Sequence, residues 1–460
     1  MARRSLFSKP LMSLISRLHF YVGLFVGPFI LVAALSGIAY VISPALEAWV
    51  YQDALKGTQQ GDVQPLRAQI AAAQDYLDSA ASPDAVRPAP EPGDTTRIMF
   101  SDPVLAPSQH NAVFVDPVTL NITGETKVYG TSGILPLRTS IDLFHRQLLL
   151  GDTGRLYSEL AASWLWVMAL GGIVLWLNRR HALNATQGPR RLAKRHATLG
   201  VVLTTGLLLF SATGLTWSQW AGGNIAELRH TWGWNTPSVS TDLRAGDTIQ
   251  NDEHAEHRGH AQTANTQAPA VSLITFDHAL HAARQAGLEA DRLQITPPTS
   301  PDQAWRVAEI DRRWPTQVDQ VALHPRTMAV IDRTDFATFP LAAKLTRWGI
   351  DLHMGVLFGT INQLVLGVLA AGIVVLVVWG YTLWWRRVSR SSSHRFPTVS
   401  EPWALLPPGT KLGLVGVALA LGMALPVLGV SLTLFACIDA LRWAAIKRRQ
   451  SICIRPNTPH

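Results

Sequence analysis

Four long apolar stretches constrain this chain more than any other feature of its sequence. They cover residues 18–42, 160–177, 197–217 and 360–385, and they contain few charged residues. A helix of about 20 residues crosses a hydrocarbon core roughly 30 Å thick, so each stretch is predicted to span a membrane. The first is too long for a signal peptide and lacks a small-residue cleavage site, which indicates a retained helix. Interfacial tryptophans lie near the ends of these stretches: Trp164, Trp166, Trp176, Trp217, Trp220, Trp379, Trp384 and Trp385.

Basic residues are concentrated in three short segments that contain almost no acidic residues. These are Arg3, Arg4, Lys9 and Arg17; then Arg179, Arg180, Arg190, Arg191, Lys194 and Arg195; then Arg386, Arg387, Arg390 and Arg395. The positive-inside rule predicts that these segments are cytoplasmic and that residues 44–150 and 218–350 lie outside. The net charge of +8 therefore indicates topology, and no nucleic-acid partner is expected.

The last apolar stretch, residues 412–446, allows two interpretations. As one helix it would be about 52 Å long, which exceeds a single crossing. Basic residues on both sides favour a hairpin around Pro426 and Gly429, and one long tilted helix is the alternative. The two cysteines, Cys437 and Cys453, cannot form a disulfide framework for the external segments. The absence of C-x-x-C-H excludes covalent c-type haem attachment.

The two long external segments resemble each other. Strands are predicted in Asn111–Thr119 and Gln320–Thr327, each ending in a turn with proline and followed by a second strand. Helices are predicted before them, at Pro65–Ala80 and at Thr275–Ala286 with Gly287 as its C-terminal stop. Each external segment is thus predicted to be a small α+β domain, and the polar residues 236–270 are expected to be a mobile insertion.

The predicted fold class is a mainly α membrane protein with four spans, a C-terminal hairpin and two small external α+β domains from an internal duplication. The predicted boundaries are a cytoplasmic N-terminus 1–17, span 18–43, domain 44–140, a histidine segment with a span 141–179, loop 180–195, span 196–218, domain 219–345, a histidine segment with a span 346–386, loop 387–411, hairpin 412–446 and tail 447–460.

Four histidines occupy matched positions in this duplication. His19 and His196, the first pair, each have glycines four and eighteen residues later. His145 and His353, the second pair, each have a glycine six residues later. The predicted topology places the first pair at the cytoplasmic side and the second pair at the external side. Ionisable residues beside membrane helices are costly, so duplicated ones indicate a binding function.

Two histidines at each side match the needs of a bis-imidazole haem, which is suited to one-electron transfer. We therefore predict two b-type haems. A lone histidine at an interface is usually a solvated polar residue, and only the duplication favours ligation. Arginines beside the histidines are candidate propionate partners: Arg17 and Arg195 inside, and Arg146, Arg155 and Arg347 outside. The tract of His254, His257 and His260 is a weaker candidate for an external metal site.

No dinucleotide or P-loop motif is present, so electrons would have to come from quinol or a soluble cytoplasmic reductant. Two other interpretations remain open. One is a haemless anchor or sensor whose external domains bind peptides or proteins. The other is a metal transporter, which is weaker because the apolar runs lack the carboxylates typical of ion pathways.

The motifs around the histidines resemble those of the PepSY-associated transmembrane helix family. They are R-L-H-x-x-x-G at His19, L-F-H-R-x-L-x-x-G-x-x-G-R from His145, K-R-H-x-x-x-G at His196 and D-L-H-x-G-x-x-x-G at His353. The resemblance covers roughly residues 12–390. It implies a bacterial inner-membrane oxidoreductase with two haems ligated by these four histidines, which reduces ferric siderophores in the periplasm. The second copy departs from the first, because Met354 replaces Arg146 and no G-x-x-G-R follows His353.

Overall fold

The computed structural model describes residues 8–179, 189–244, 271–389 and 396–453, which form two compact units. The first, the membrane unit, contains Met1–Ala39, Leu143–Arg229 and Leu364–His460. The second, the sheet unit, contains Tyr40–Asp142 and His230–Gln363. Each unit is assembled from both halves of the sequence.

The chain is a mainly helical membrane protein, and its helices follow the order of the predicted spans. Their bounds are α1 Lys9–Phe25, α2 Gly27–Val50, α3 Gln52–Leu55, α4 Leu66–Tyr76, α5 Pro136–Gln147, α6 Gly151–Arg179, α7 Pro189–Thr216, α8 Trp220–Thr231, α9 Ile274–Gln285, α10 Leu341–His353, α11 Gly359–Val388, α12 Ser400–Ala404, α13 Pro408–Ala424 and α14 Pro426–Cys453.

Five helices in the described ranges are long and apolar enough to cross a membrane: α2, α6, α7, α11 and α14. The first predicted span differs in its bounds, because the helix is interrupted at Val26 and His19 lies in α1 before the break. Pro28 has no N–H to donate to the carbonyl of Leu24, four residues earlier. The hydroxyl of Tyr381 in α11 donates to this carbonyl instead, at 2.6 Å.

The C-terminal apolar stretch consists of two helices rather than one. They meet at Leu425 and Pro426, as the sequence predicted, and α13 has only 17 residues. A Cβ atom added to Gly429 would lie 2.6 Å from the Cα of Gly422. The two glycines therefore allow the backbones of α13 and α14 to approach closely at the turn.

Two buried carboxylates lie in the span helices α6 and α14, Glu159 just before the apolar run 160–177 and Asp439 inside the run 412–446. Glu159 in α6 accepts hydrogen bonds from the backbone N–H groups of Trp220 and Ala221, both at 3.0 Å. Asp439 in α14 accepts the backbone N–H of Ser400 at 2.7 Å. Each carboxylate satisfies N–H groups at the start of a helix, α8 or α12, so both have structural roles.

The sheet unit contains a single eight-stranded antiparallel sheet, where the sequence predicted two separate α+β domains. Its order is β4-β3-β2-β1-β5-β6-β7-β8, and the two halves join where Val86 pairs with Ile295. The strands are β1 Ala85–Arg87, β2 Thr96–Phe100, β3 Gln109–Val115, β4 Ile122–Tyr129, β5 Leu293–Thr296, β6 Trp305–Glu309, β7 Gln320–Leu323 and β8 Val330–Thr334.

One hydrophobic core covers one face of this sheet and is shared by both halves. Ile70 of α4 and Phe276 of α9 are fully buried in it, and the ring of Phe276 meets Trp305 edge-on at 4.8 Å. The two predicted helices and both predicted hairpins are confirmed. Gly287 ends α9 with a positive φ of 90°, as its predicted role as a stop requires.

Candidate functional site

His19 and His196 come together inside the membrane unit. Their imidazoles are close enough to interact electrostatically. The Nδ1 atom of each ring is buried, and each ring lies beside a backbone carbonyl of a neighbouring helix, that of Met168 for His19 and that of Leu376 for His196. A carbonyl that accepts from one ring nitrogen leaves the lone pair of the other nitrogen for a ligand such as a metal ion. The two histidines that spacing alone predicted as a pair therefore interact electrostatically within the membrane unit.

Glycines on neighbouring helices lie directly against three of the four histidines. A Cβ atom added to Gly172 of α6 would lie 3.4 Å from the Cε1 of His19. One added to Gly380 of α11 would lie 3.7 Å from the Cε1 of His196. Gly37 of α2 is the corresponding neighbour of His145, at 3.5 Å. Close backbone approach at these rings is what a flat, bulky ligand between helices requires.

Ser36 fixes the ring of His145 in the membrane unit. The Oγ atom of Ser36 lies 2.9 Å from the Nδ1 of His145 and 2.7 Å from the carbonyl oxygen of Val32. When the single hydroxyl hydrogen is donated to that carbonyl, Nδ1 donates its hydrogen to Ser36 and the lone pair of the ring resides on Nε2. Metal-ligating histidines are typically oriented in this way through their other nitrogen.

His353 is the last residue of α10 in the sheet unit, and a buried ion pair holds this helix end. Asp351 is fully buried and lies 2.5 Å from Arg312, which is only 10% exposed. Arg347 also contacts Asp351, at 3.2 Å. Arg312 donates to the sulfur of Met354 at 3.3 Å. His145 belongs to the membrane unit and His353 to the sheet unit.

The candidate propionate partners are placed as follows. Arg17 pairs with Glu401 of α12 at 2.7 Å and also donates to the carbonyl of Thr398, so its guanidinium already has two partners. Arg155 donates to the carbonyl of Trp217 at 3.2 Å. Arg195 is exposed on α7, and Arg146 follows His145 on α5. Arg347 contacts Asp351, as described above.

The remaining predictions concern a second metal site. His254, His257 and His260 lie outside the described residues. Within the described ranges, no group of three or more His, Cys, Asp or Glu side chains is arranged to hold a metal ion. Sequence reasoning missed Ser36 and Asp351. The only available signal for Asp351 was the shared I-D-L tripeptide before His145 and His353.

Comparison with known families agrees with the duplicated motifs. The family described as the PepSY-associated TM region matches residues 16–387, a range that includes all four paired histidines. No curated protein matches the chain. The match extends over most of the sequence, from within α1 to nearly the end of α11. The chain therefore belongs to the PepSY-associated transmembrane family.

Proposed function

We propose that this protein carries electrons across a bacterial inner membrane through two b-type haems, each held by one histidine pair. The observation that supports this most directly is the proximity of His19 and His196, whose Nδ1 atoms are buried and whose rings interact electrostatically inside the membrane unit. A haem bound by two imidazoles supplies reversible one-electron transfer at an iron with no open coordination position. His145 and His353 would hold the second haem.

The chain's own residues would orient the ligands and admit the macrocycles. Ser36 holds the ring of His145, and the ion pair of Asp351 holds the helix end that carries His353. The backbones of Gly172 and Gly380 lie against the rings of the first pair. Arg195, Arg146, Arg155 and Arg347 remain candidate propionate partners, whereas Arg17 is engaged by Glu401.

The proposed direction of transfer is from the cytoplasmic side to the periplasmic side. Quinol or a soluble cytoplasmic reductant would supply electrons near His19 and His196. The proposed acceptor is the ferric iron of a siderophore, which takes one electron and becomes ferrous. Siderophores bind iron through hard oxygen ligands, which hold the softer ferrous ion more weakly, so reduction would release the metal.

Haem analysis of the purified full-length protein tests this proposal. We expect a reducible low-spin spectrum and about two haems per chain by pyridine haemochrome. His19→Ala and His196→Ala should each remove one haem and leave the other. The matched control is His281→Ala, because His281 is exposed on α9. A colourless protein from haem-replete cells, or a His19→Ala variant with unchanged haem content, would refute the proposal.

A second candidate function is a haemless anchor whose sheet binds peptides or proteins. Strand β8 is at the edge of the sheet, and Val330 and Ile331 on it are 45% and 43% exposed. An exposed apolar edge strand can pair with an extended peptide. Under this alternative the native protein and the histidine variants would have the same absorption spectrum, and substitutions in β8 would abolish partner binding.

A further inference from the structure

The face of the sheet opposite the shared core carries an unusual set of arginines. Because side chains alternate along a strand, Ile98 and Val86 enter the core while Arg97 and Arg87 occupy the opposite face. Arg306 on β6 has the same orientation, since Trp305 and Val307 on either side of it enter the core. We call Arg87, Arg97 and Arg306 the arginine face.

Arg87 and Arg97 lie directly opposite each other in the register of β1 and β2. Like charges in this position repel each other, so the arrangement needs compensation. The acceptors of Arg87 are neutral: Gln294 Oε1 at 2.7 Å, the carbonyl of Ser132 at 2.9 Å and the carbonyl of Thr131. No carboxylate accepts a hydrogen bond from it within the described chain.

Arg97 has one neutral acceptor and one distant anion. It donates to the carbonyl of Gly133 at 2.5 Å, and its guanidinium lies 5.0 Å from the ring centre of Phe114. Glu47 acts on Arg97 electrostatically, although its carboxylate accepts the backbone N–H of Leu135 at 2.9 Å. One carboxylate therefore offsets at most one of the charges on this face.

Arg306 is the least satisfied member of the set. In the described ranges it makes no hydrogen bond and no ion pair, and it is directly opposite Thr296 in the sheet. A guanidinium has five N–H donors, so Arg306 retains all five. All three arginines are partly buried but keep some exposure, so a dissolved ligand can reach them.

Neighbouring arginines of the same unit are neutralised, which makes the contrast informative. Arg313 binds Asp311 through two nitrogens, at 2.7 Å and 3.0 Å. Arg312 binds the buried Asp351 at 2.5 Å. These two arginines bind carboxylates directly, whereas within the described ranges no carboxylate accepts a hydrogen bond from the arginine face.

Burial destabilises the protonated form of each guanidinium on this face, but all three remain charged at neutral pH. Burial, and then the nearby Arg97, lower the pKa of Arg87 to about 9. Burial is also the main cause that lowers the pKa of Arg97, to about 10, and it lowers the pKa of Arg306. The face therefore presents three cations in surroundings that strengthen their attraction for an anion.

We propose that the arginine face binds a carboxylate-bearing anion, and that the external substrate is a ferric chelate of net negative charge. Planar guanidinium groups bind carboxylates through paired, charge-assisted hydrogen bonds, and the free donors of Arg97 and Arg306 supply them. The identification of the ligand as an iron chelate rests on the proposed function. The binding of the anion rests on the arginines alone.

Binding of a redox-inert chelate to the full-length protein tests the site without electron transfer. The probe is Ga(III)–citrate, which is anionic, and the comparison ligand is a cationic Ga(III) trihydroxamate chelate. We expect saturable calorimetric binding of the citrate chelate only, weakened by added salt. Arg306→Gln should reduce the affinity about tenfold or more, because it removes charge-assisted hydrogen bonds. The control, Arg326→Gln, removes one exposed charge from the turn after β7 and should leave the affinity within about twofold.

The outcomes separate this inference from the proposed function. No binding of Ga(III)–citrate, equal binding of the cationic chelate, or equal effects of Arg306→Gln and Arg326→Gln would overturn the inference even if the protein contains two haems. Arginine-dependent binding to a haemless protein would support the anion site and overturn electron transfer. Because Arg306 has no partners in the described chain, Arg306→Gln is not expected to unfold the sheet.

Discussion

The hydroxyl group of Ser36 influences which nitrogen of His145 carries the lone pair. When this hydroxyl donates to the carbonyl of Val32, its oxygen accepts from the Nδ1 of His145. Without Ser36 the ring would lose this hydrogen bond, at a cost of about 0.5–1.5 kcal/mol. Ser36 therefore stabilises the form of the ring that offers Nε2 to a metal.

Ser36→Ala is expected to weaken the haem held by His145 and to spare the haem held by His19 and His196. Loss of a residue that orients a metal ligand typically costs about 10–100-fold in affinity. Haem titration of the apoprotein should therefore show one site of unchanged affinity and one weakened site. The control is Ser140→Ala, since Ser140 is exposed on α5 and donates only to the carbonyl of Pro136. Identical titrations of Ser36→Ala and the native protein would contradict the assigned role.

Asp116 is a residue whose charge stabilises the sheet unit. Burial alone would raise its pKa, but hydrogen bonds from the side chain and backbone of Thr58 and from the N–H of Val118 lower it to about 2. The ordinary pKa is 3.8. A folded-state pKa below the unfolded one stabilises the fold at pH values above the unfolded pKa, and this stabilisation is lost as the pH falls towards 2.

Asp116→Asn should lower the free energy of unfolding of the β3–β4 hairpin by about 2 kcal/mol at pH 7, given 1.36 kcal/mol per unit of pKa shift. The difference from the native protein should be constant above about pH 5 and should disappear as the pH approaches 2. Hydrogen-exchange protection of β3 and β4, corrected for intrinsic rates, measures this difference in free energy. The exposed Asp62→Asn is the control. A difference that persists unchanged at pH 2 would rule out ionisation of Asp116 as the cause.

At the scale of elements, local patterns predicted the helices and hairpins but did not predict the continuous sheet. The hairpin that turns at Thr119 and the end of α9 at Gly287 are each encoded by neighbouring residues. The junction between Val86 and Ile295 joins strands of three and four residues that are far apart in sequence. Such short strands carry no pattern that identifies a distant partner. In the sequence, Arg87 and Arg97 have the pattern of ordinary solvent-facing strand positions. Only the register of β1 and β2 reveals that they lie opposite each other.

The candidate site shows the same division between local and distant information. The spacing of glycines and histidines predicted the pairing of His19 with His196, because duplication repeats the same helix start, and the two imidazoles interact electrostatically in the structure. The partner of Arg17 could not be predicted, since Glu401 is on a short helix nearly 400 residues away. Long-range ion pairs depend on packing that no local motif encodes.

The end of α10 should depend on Asp351. Asp351→Asn removes one partner of the buried ion pair with Arg312, and breaking such a pair typically costs about 3–5 kcal/mol. We expect a corresponding loss of hydrogen-exchange protection from Ile350 to Leu357, whose backbone turns around Asp351. Asp302→Asn, which breaks a solvent-exposed pair with Arg244, should change protection by less than about 1 kcal/mol. Equal effects of the two substitutions would show that the buried pair does not hold this helix end.

At the scale of the whole molecule, the number of crossings decides on which side α14 ends. Helix α13 is about 25 Å long, somewhat shorter than a hydrocarbon core of roughly 30 Å. Local thinning of the bilayer accommodates such a mismatch at modest cost. The close approach at Gly422 and Gly429 favours a turn between two crossings, and Lys447, Arg448 and Arg449 favour a cytoplasmic end.

Reporter fusions to the full chain are expected to place its C-terminus in the cytoplasm. A fluorescent protein that matures only in the cytoplasm should be bright there, and alkaline phosphatase, which needs periplasmic oxidation, should be inactive. Phosphatase inserted between α3 and α4 should be active, because the positive-inside rule places this segment outside. This insertion also controls for expression of the reporter. An active phosphatase at the C-terminus would mean that α13 does not cross, since an odd number of crossings after α11 would then export the tail.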